Sequence, residues 1–203
     1  PVICGTYPYG NTFDFKTRIV GATDPFSYTG YIYNSEGVGI QNIPIELYSK
    51  LKTSSTYTSL STATTDANGK YSISSTRDAT LYDFQLHINT LTISSPVIND
   101  AKLFNQKVLQ QSFNSRDYYR MDVNDDDNLS VTDIYLIYMK IIGRSWKTGM
   151  VDYRIFTPTE WNTISTSTSN LKKTYSGLQT ITLSGLTNKG SSNYYLVRTG
   201  YRY

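Results

Sequence analysis

The chain is poor in the residue types that most often carry out chemistry. It has one cysteine, Cys4, and one histidine, His87. A single cysteine excludes an intrachain disulfide and leaves Cys4 either buried and inert or bonded to another chain. Zinc sites draw on clusters of His and Cys, which this chain cannot supply. A Ser–His–Asp or Cys–His arrangement would have to use His87, which sits in a strand-like run, while Cys4 lies in an irregular arm. No Gly-rich phosphate loop precedes a helix, and no apolar run approaches membrane-spanning length. Charge is scarce as well. Charged residues make up 17% of the chain and the formal net charge is +3, with Lys and Arg scattered rather than run together. Nucleic acid fits that distribution poorly. Together these absences argue against an enzyme.

What is abundant is Ser, Thr, Asn and Tyr, the last numbering 19 in 203 residues. Plentiful β-branched and aromatic residues exclude disorder, and the length allows a real core. The expectation is a mainly β protein of extracellular or cell-surface location. Pro1 in place of Met reads as a mature or trimmed product.

Oxygen ligands gather in one stretch. Counting from Asp122, oxygen-bearing side chains fall at positions 1, 3, 5, 9 and 12: Asp122, Asn124, Asp126, Ser130 and Asp133. Asn128 stands at position 7, where a twelve-residue calcium loop uses a backbone carbonyl. A hard cation needs about six to eight oxygens, and the spacing matches at every ligand position. Leu129 is apolar, as a loop pinned to a core requires. Asp127 occupies position 6, where the rule wants Gly, and Asp133 is shorter than the usual bidentate Glu. The bland alternative is an Asp/Asn-rich turn in which Asp133 only caps the next helix.

That segment, with the apolar run Ile134–Ile142 behind it, resembles the calcium-loop-plus-helix half of a dockerin module. Dockerins carry two such halves, and Asn99–Leu109 aligns with Thr132–Ile142, Asp100 matching Asp133 and Leu103 matching Leu136. The loop before Asp100 offers Asn89, Leu91, Ile93, Ser95 and Val97, which cannot cage a hard cation. The resemblance therefore implies a degenerate pair, two helices with one calcium loop, and Leu91, Ile93 and Val97 are expected to pack against apolar neighbours. Cohesin binding is the partner activity the family implies.

From Phe26 the pattern is β. Tyr28–Asn34 and Ile43–Tyr48 alternate, Asp66-Ala-Asn-Gly is a tight turn into Lys70–Ile73, and Leu81–Ile88 alternates again. This order is similar to carboxypeptidase regulatory-like and collagen-adhesin B-type domains over residues 26 to 92. The resemblance implies a transthyretin-like β-sandwich acting as a spacer or stalk, without catalytic residues. Residues 99 to 112 read as an amphipathic helix with Ala101, Phe104, Val108 and Leu109 as its stripe. The helix after Asp133 is apolar nearly all round, which predicts burial on more than one side. Tyr153–Phe156, Leu178–Leu183 and Tyr194–Tyr203 read as strands of a C-terminal sheet. Trp146, Trp161 and Phe156 are read as core residues, with an aromatic carbohydrate platform as the sharper alternative.

The expected organisation is an arm (1–25), a transthyretin-like sandwich (26–92), a degenerate dockerin-like helix pair (93–145) and a β segment packed on that pair (146–203). The expected function is a non-enzymatic structural or adhesive component of a surface assembly, holding one calcium ion. Self-association or contact with neighbouring domains would run through the arm or the C-terminal strand. A carbohydrate- or cohesin-binding accessory module is the alternative, with glycans as the further candidate partner.

Overall fold

The computed structural model describes residues 25–88, 96–145, 152–166, 177–178, 181–183 and 189–201. Within them the chain is mixed α/β, with two sheets of five and four strands and four helices. Strands outnumber helices, so the expected β character holds at that level. Cys4 and Trp146, with most of the arm, lie outside the described residues.

Alternation builds the first strands as the sequence implies. In β1 (Phe26–Tyr33) every second residue is buried, Phe26, Tyr28, Gly30 and Ile32 pointing inward. β2 (Pro44–Leu51) buries Ile45, Leu47 and Ser49, and its proline stands at the first position, where a missing N–H costs least. β3 (Thr58–Thr64) is mostly polar, while β4 (Lys70–Ser75) and β5 (Tyr82–Ile88) alternate again. The Asp66–Gly69 turn joins β3 to β4. Asp66 Oδ1 accepts from the amides of Asn68 at 2.8 Å and Lys70 at 2.9 Å, and Gly69 sits at φ +78. A Cβ there would meet the Ile32 carbonyl at 2.4 Å, so glycine is required twice over.

The C-terminal strands do not form a sheet of their own on the helix pair, and this corrects the expected layout. β6 (Tyr153–Phe156), β8 (Lys189–Ser191) and β9 (Tyr194–Arg198) join β1 and β4 in the order β4-β1-β9-β6, with β8 also on β1. β7 (Ile181–Leu183) extends the other sheet, β3-β2-β5-β7. Both β8 and β9 run parallel to β1. The physical reason is that short strands cannot satisfy their backbone or bury their faces alone. Added to existing sheets they do both: Ile155, Ile181, Leu183, Tyr194 and Leu196 enter one core with Phe26, Ile45, Tyr71, Phe84 and Leu86. β6 pairs with β9 from Tyr195 to Arg198 on one side, and β1 pairs with it at Tyr194 and Tyr195 on the other.

Four helices complete the chain: α1 (Ile98–Gln110), α2 (Ser115–Met121), α3 (Val131–Ile141) and α4 (Pro158–Thr166). α1 and α3 pack on each other around Ala101, Phe104, Val108, Met121, Val123, Leu129, Ile134 and Ile137. Two helix expectations are corrected. Leu109 is 71% exposed, off the α1 stripe, and α3 is buried on one side only, with Tyr135 59% and Ile142 68% exposed. The sheets lie against α2 and α4 rather than over the outer face of α3. Val97, expected to be packed, is 54% exposed, because it stands at the N-cap of α1 with its amide bonded to Asp100 Oδ2. Leu91, Ile93, Asn89 and Ser95 lie outside the described residues.

Candidate metal-binding loop

The loop between α2 and α3 is held by its own carboxylates. Asp122 is the C-cap of α2, and its two oxygens accept from the amides of Asp126 at 3.1 Å and Asp127 at 2.9 Å. Asn124 Oδ1 faces the Asp126 amide at 3.4 Å, and Asp126 Oδ1 accepts from the Asn128 amide at 2.9 Å. Ser130 is the N-cap of α3, its hydroxyl accepting from the Thr132 amide at 3.2 Å. Asp133 closes the loop on itself: Oδ1 accepts from the Val123 amide and Oδ2 from the Ser130 amide, both at 2.9 Å. The bland reading of Asp133 as a capping residue is thus realised geometrically. It does not displace the other reading, because a carboxylate has about four lone-pair sites and two amides leave room for an ion.

Asp127, which stands where the calcium-loop rule wants glycine, has φ +57, and Asp125 has φ +62. The backbone therefore takes the left-handed turn that a twelve-residue loop needs, and a residue with a Cβ is held in it. Leu129 is buried in the α1–α3 core and pins the far side of the loop.

The electrostatics are uncomfortable for a loop standing alone. Five aspartates fall within residues 122–133. Asp122 and Asp133 are 1% and 0% exposed. Burial pushes the Asp133 carboxyl above the usual carboxylate range; the amides of Ser130 and Val123 pull it back, and the charges of Asp122 and Asp126 push the same way as burial. A buried carboxylate beside other carboxylates is what a bound cation would relieve. Among the described residues no three His, Cys, Asp or Glu side chains already form a metal-holding group, the loop acids being turned onto loop amides. The donor chemistry nevertheless fits a hard cation: Asp122, Asn124, Asp126, Ser130 and Asp133, with the Asn128 carbonyl, are all oxygen donors.

Other chemistry-bearing residues are placed without a site. His87 lies on β5, half-buried, its ring stacked on Tyr48 at 4.3 Å. Trp161 and Phe156 are fully buried, which makes them core residues and removes them from any sugar platform. An open cavity of about 180 Å³ is lined by Asn114, Ser115, Arg116 and Ile164, without a carboxylate or histidine. No helix among the described residues is long and apolar enough to cross a membrane.

Residues around the loop that pattern reading did not single out are Arg154 and Asp117. Arg154 Nη2 reaches Asp125 Oδ1 at 2.9 Å. Asp117 is fully buried and binds Lys107 Nζ at 2.7 Å and Arg120 Nη2 at 2.9 Å. Asn114 three residues before Asp117 was the available signal, a reciprocal cap at the head of α2.

No protein-family model matches the chain, and neither does any curated protein sequence. Among solved structures with distant likeness are the following two. A 9R-lipoxygenase from Cyanothece PCC8801 is 20% identical over 39% of this chain and 12% of its own, with a TM-score of 0.27. An (S)-allantoin synthase is 10% identical over 46% of this chain and 31% of its own, with a TM-score of 0.24. Likeness of that extent bears on neither fold nor function.

Proposed function

We propose that the chain is a non-enzymatic structural or adhesive component of an extracellular or cell-surface assembly, stabilised by one calcium ion in the 122–133 loop. The observation that carries the calcium half is the pair of buried carboxylates, Asp122 and Asp133, meeting in a loop whose sixth position is left-handed. Asp122, Asn124, Asp126, Ser130 and Asp133 are the side-chain ligands and Asn128 contributes its carbonyl. Bound there, calcium supplies charge neutralisation; the residues themselves fix the turn, the helix start and the approach of α3. Calorimetric titration of the full chain should give one calcium per chain. A stoichiometry of two would show that the stretch before Asp100 is a second site, and no saturable binding would remove calcium from the reading.

The absence from the sequence of a second histidine or cysteine supports the non-catalytic half. On this reading the two sheets are a transthyretin-like sandwich serving as a spacer, and the α1–α3 pair is a dockerin-like insertion between β5 and β6. Assembly is assigned to the N-terminal arm first and to the C-terminal strand as the other candidate, since β1 meets β9 only at Tyr194 and Tyr195. An aromatic-rich arm with Tyr7, Tyr9, Phe13 and Phe15 can add to a neighbour's sheet edge or cover its apolar surface. Such a head-to-tail contact does not close and builds filaments. Deleting residues 1–25 should abolish the growth in scattered light shown by the intact protein. An intact protein that never exceeds monomer mass, or a truncation that assembles equally well, overturns the assignment.

A further inference from the structure

Resting on the calcium reading above, we propose that the ion's influence extends into the sheets, through a two-ended clasp by which the start of β6 holds α3. Arg154 lies in β6 and Asp152 at the bend just before it, two residues apart. Arg154 reaches forward to Asp125 in the loop before α3, Nη2 to Oδ1 at 2.9 Å. Asp152 takes Lys140 Nζ, in the last turn of α3, at 3.2 Å. One short segment thus meets the loop ahead of the helix with a cation and the helix's last turn with an anion.

The Arg154 side chain is 5% exposed, while Asp125 is 48% exposed. A Cβ on Gly177 would meet Arg154 Cβ at 2.7 Å, so the stem of the arginine is closely covered. Arg154 is therefore built into the sheet side of the contact, and Asp125 belongs to the loop that answers to the ion. Behind the clasp, all four residues of β6 pair with β9, from Tyr153 with Arg198 to Phe156 with Tyr195. The Thr199 amide donates to the Asp152 carbonyl at 3.0 Å. β9 in turn pairs with β1. Among the described residues the α1–α3 core and the core between the sheets share no residue, and contacts of this kind couple them. α2 provides the other link, through Tyr119 in the cluster with Phe156, Trp161 and Val197.

Asp125 is at position 4, which is not a ligand position. Its Oδ1 is turned to Arg154. An ion held by Asp122, Asn124 and Asp126 fixes the backbone on both sides of Asp125 and so fixes the anion that Arg154 faces. Without the ion, repulsion among the loop carboxylates loosens that position, and a buried guanidinium loses a firm anionic partner. Arg154 is a positioning residue in this scheme.

Amide hydrogen exchange on the full chain, with calcium or with chelator, reads the coupling directly, and terbium luminescence reads loop occupancy beside it. In the wild type calcium should slow exchange in α3 and also in β6 and β9, by up to about 100-fold at free calcium 100 times Kd. Arg154→Met and Asp125→Asn should still bind the ion and still protect α3, while the calcium-dependent slowing in β6 and β9 falls by about tenfold or more. Asp125 is half-exposed, so that variant keeps the test open if the buried arginine cannot be replaced. Calcium binding with wild-type protection confined to the helices overturns the clasp alone. Variants that keep the full protection of β6 and β9 also overturn it. A wild type that binds no ion overturns both the calcium reading and this one.

Discussion

Excess chelator should lower the melting temperature of the calcium-loaded chain by roughly 5–11 °C. A ligand that binds only the folded state stabilises it by about 2.7 kcal/mol at 100 times Kd, and each kcal/mol moves Tm by about 2–4 °C in a chain of this size. The loop gives reason to expect the full effect. Asp122 and Asp133 are almost wholly buried, and Asp133 is already held above its ordinary range by burial and by the charges of Asp122 and Asp126. Removing the ion leaves those charges facing one another across the loop. Because the β6 segment meets both the loop and the last turn of α3, the loss should not stay in the helices. Asp133→Ala should melt lower than the loaded wild type and be indifferent to chelator. A wild-type melting curve unmoved by chelator, with no saturable calcium binding, overturns the expectation.

The parts of the structure that were legible in the sequence are those set by local rules. Alternation located β1, β2, β4 and β5, and the Asp66–Gly69 turn follows from Asp and Gly at fixed offsets. The spacing from Asp122 to Asp133 picked out residues that do share one loop. What was not legible depends on partners far along the chain. Nothing in Tyr194–Arg198 says that it will run parallel to β1 and fill the place between β1 and β6. That pairing joins residues more than 150 positions apart and is decided by which edge and which core remain open. The apolar girth of α3 was a true property of its sequence, yet the fold covers only one of its sides. α4 was missed for a different reason. Its residues, rich in Thr and Ser, have strand-like propensity, but Thr157-Pro-Thr-Glu160 is a capping box with proline at the first helical position. The structure realises it: Glu160 Oε2 accepts from the Thr157 amide at 2.8 Å and from its hydroxyl at 2.9 Å. The cap outweighed the propensity because Trp161 and Ile164, three apart, have a buried place to go.

Trp161→Ala should cost about 3–5 kcal/mol of folding stability, the range for truncating a fully buried large aromatic. Against a typical total of about 5–15 kcal/mol, that is roughly a third or more of the stability at the middle of the range and most of it at the low end. The position is exacting because the ring touches nearly everything that joins helices to sheet. It meets Tyr119 of α2 edge-on at 6.2 Å, Phe156 of β6 at 5.4 Å and Tyr195 of β9 at 5.9 Å. The Arg116 guanidinium lies over it at 4.6 Å, and its Nε1 donates to the Ser35 carbonyl at 3.2 Å, tying down the loop after β1. Truncation opens a cavity at the meeting point of α2, α4, β6 and β9, and none of these elements can close it without breaking strand pairing or a helix contact. Trp161→Phe separates packing from hydrogen bonding. It keeps most of the ring and surrenders the bond to Ser35, so its loss should be well under that of alanine. Urea denaturation of the calcium-loaded protein measures both. A loss for Trp161→Ala below about 0.5 kcal/mol, within the range of ordinary surface substitutions, would mean that α4 is not fastened to the sheet through this residue.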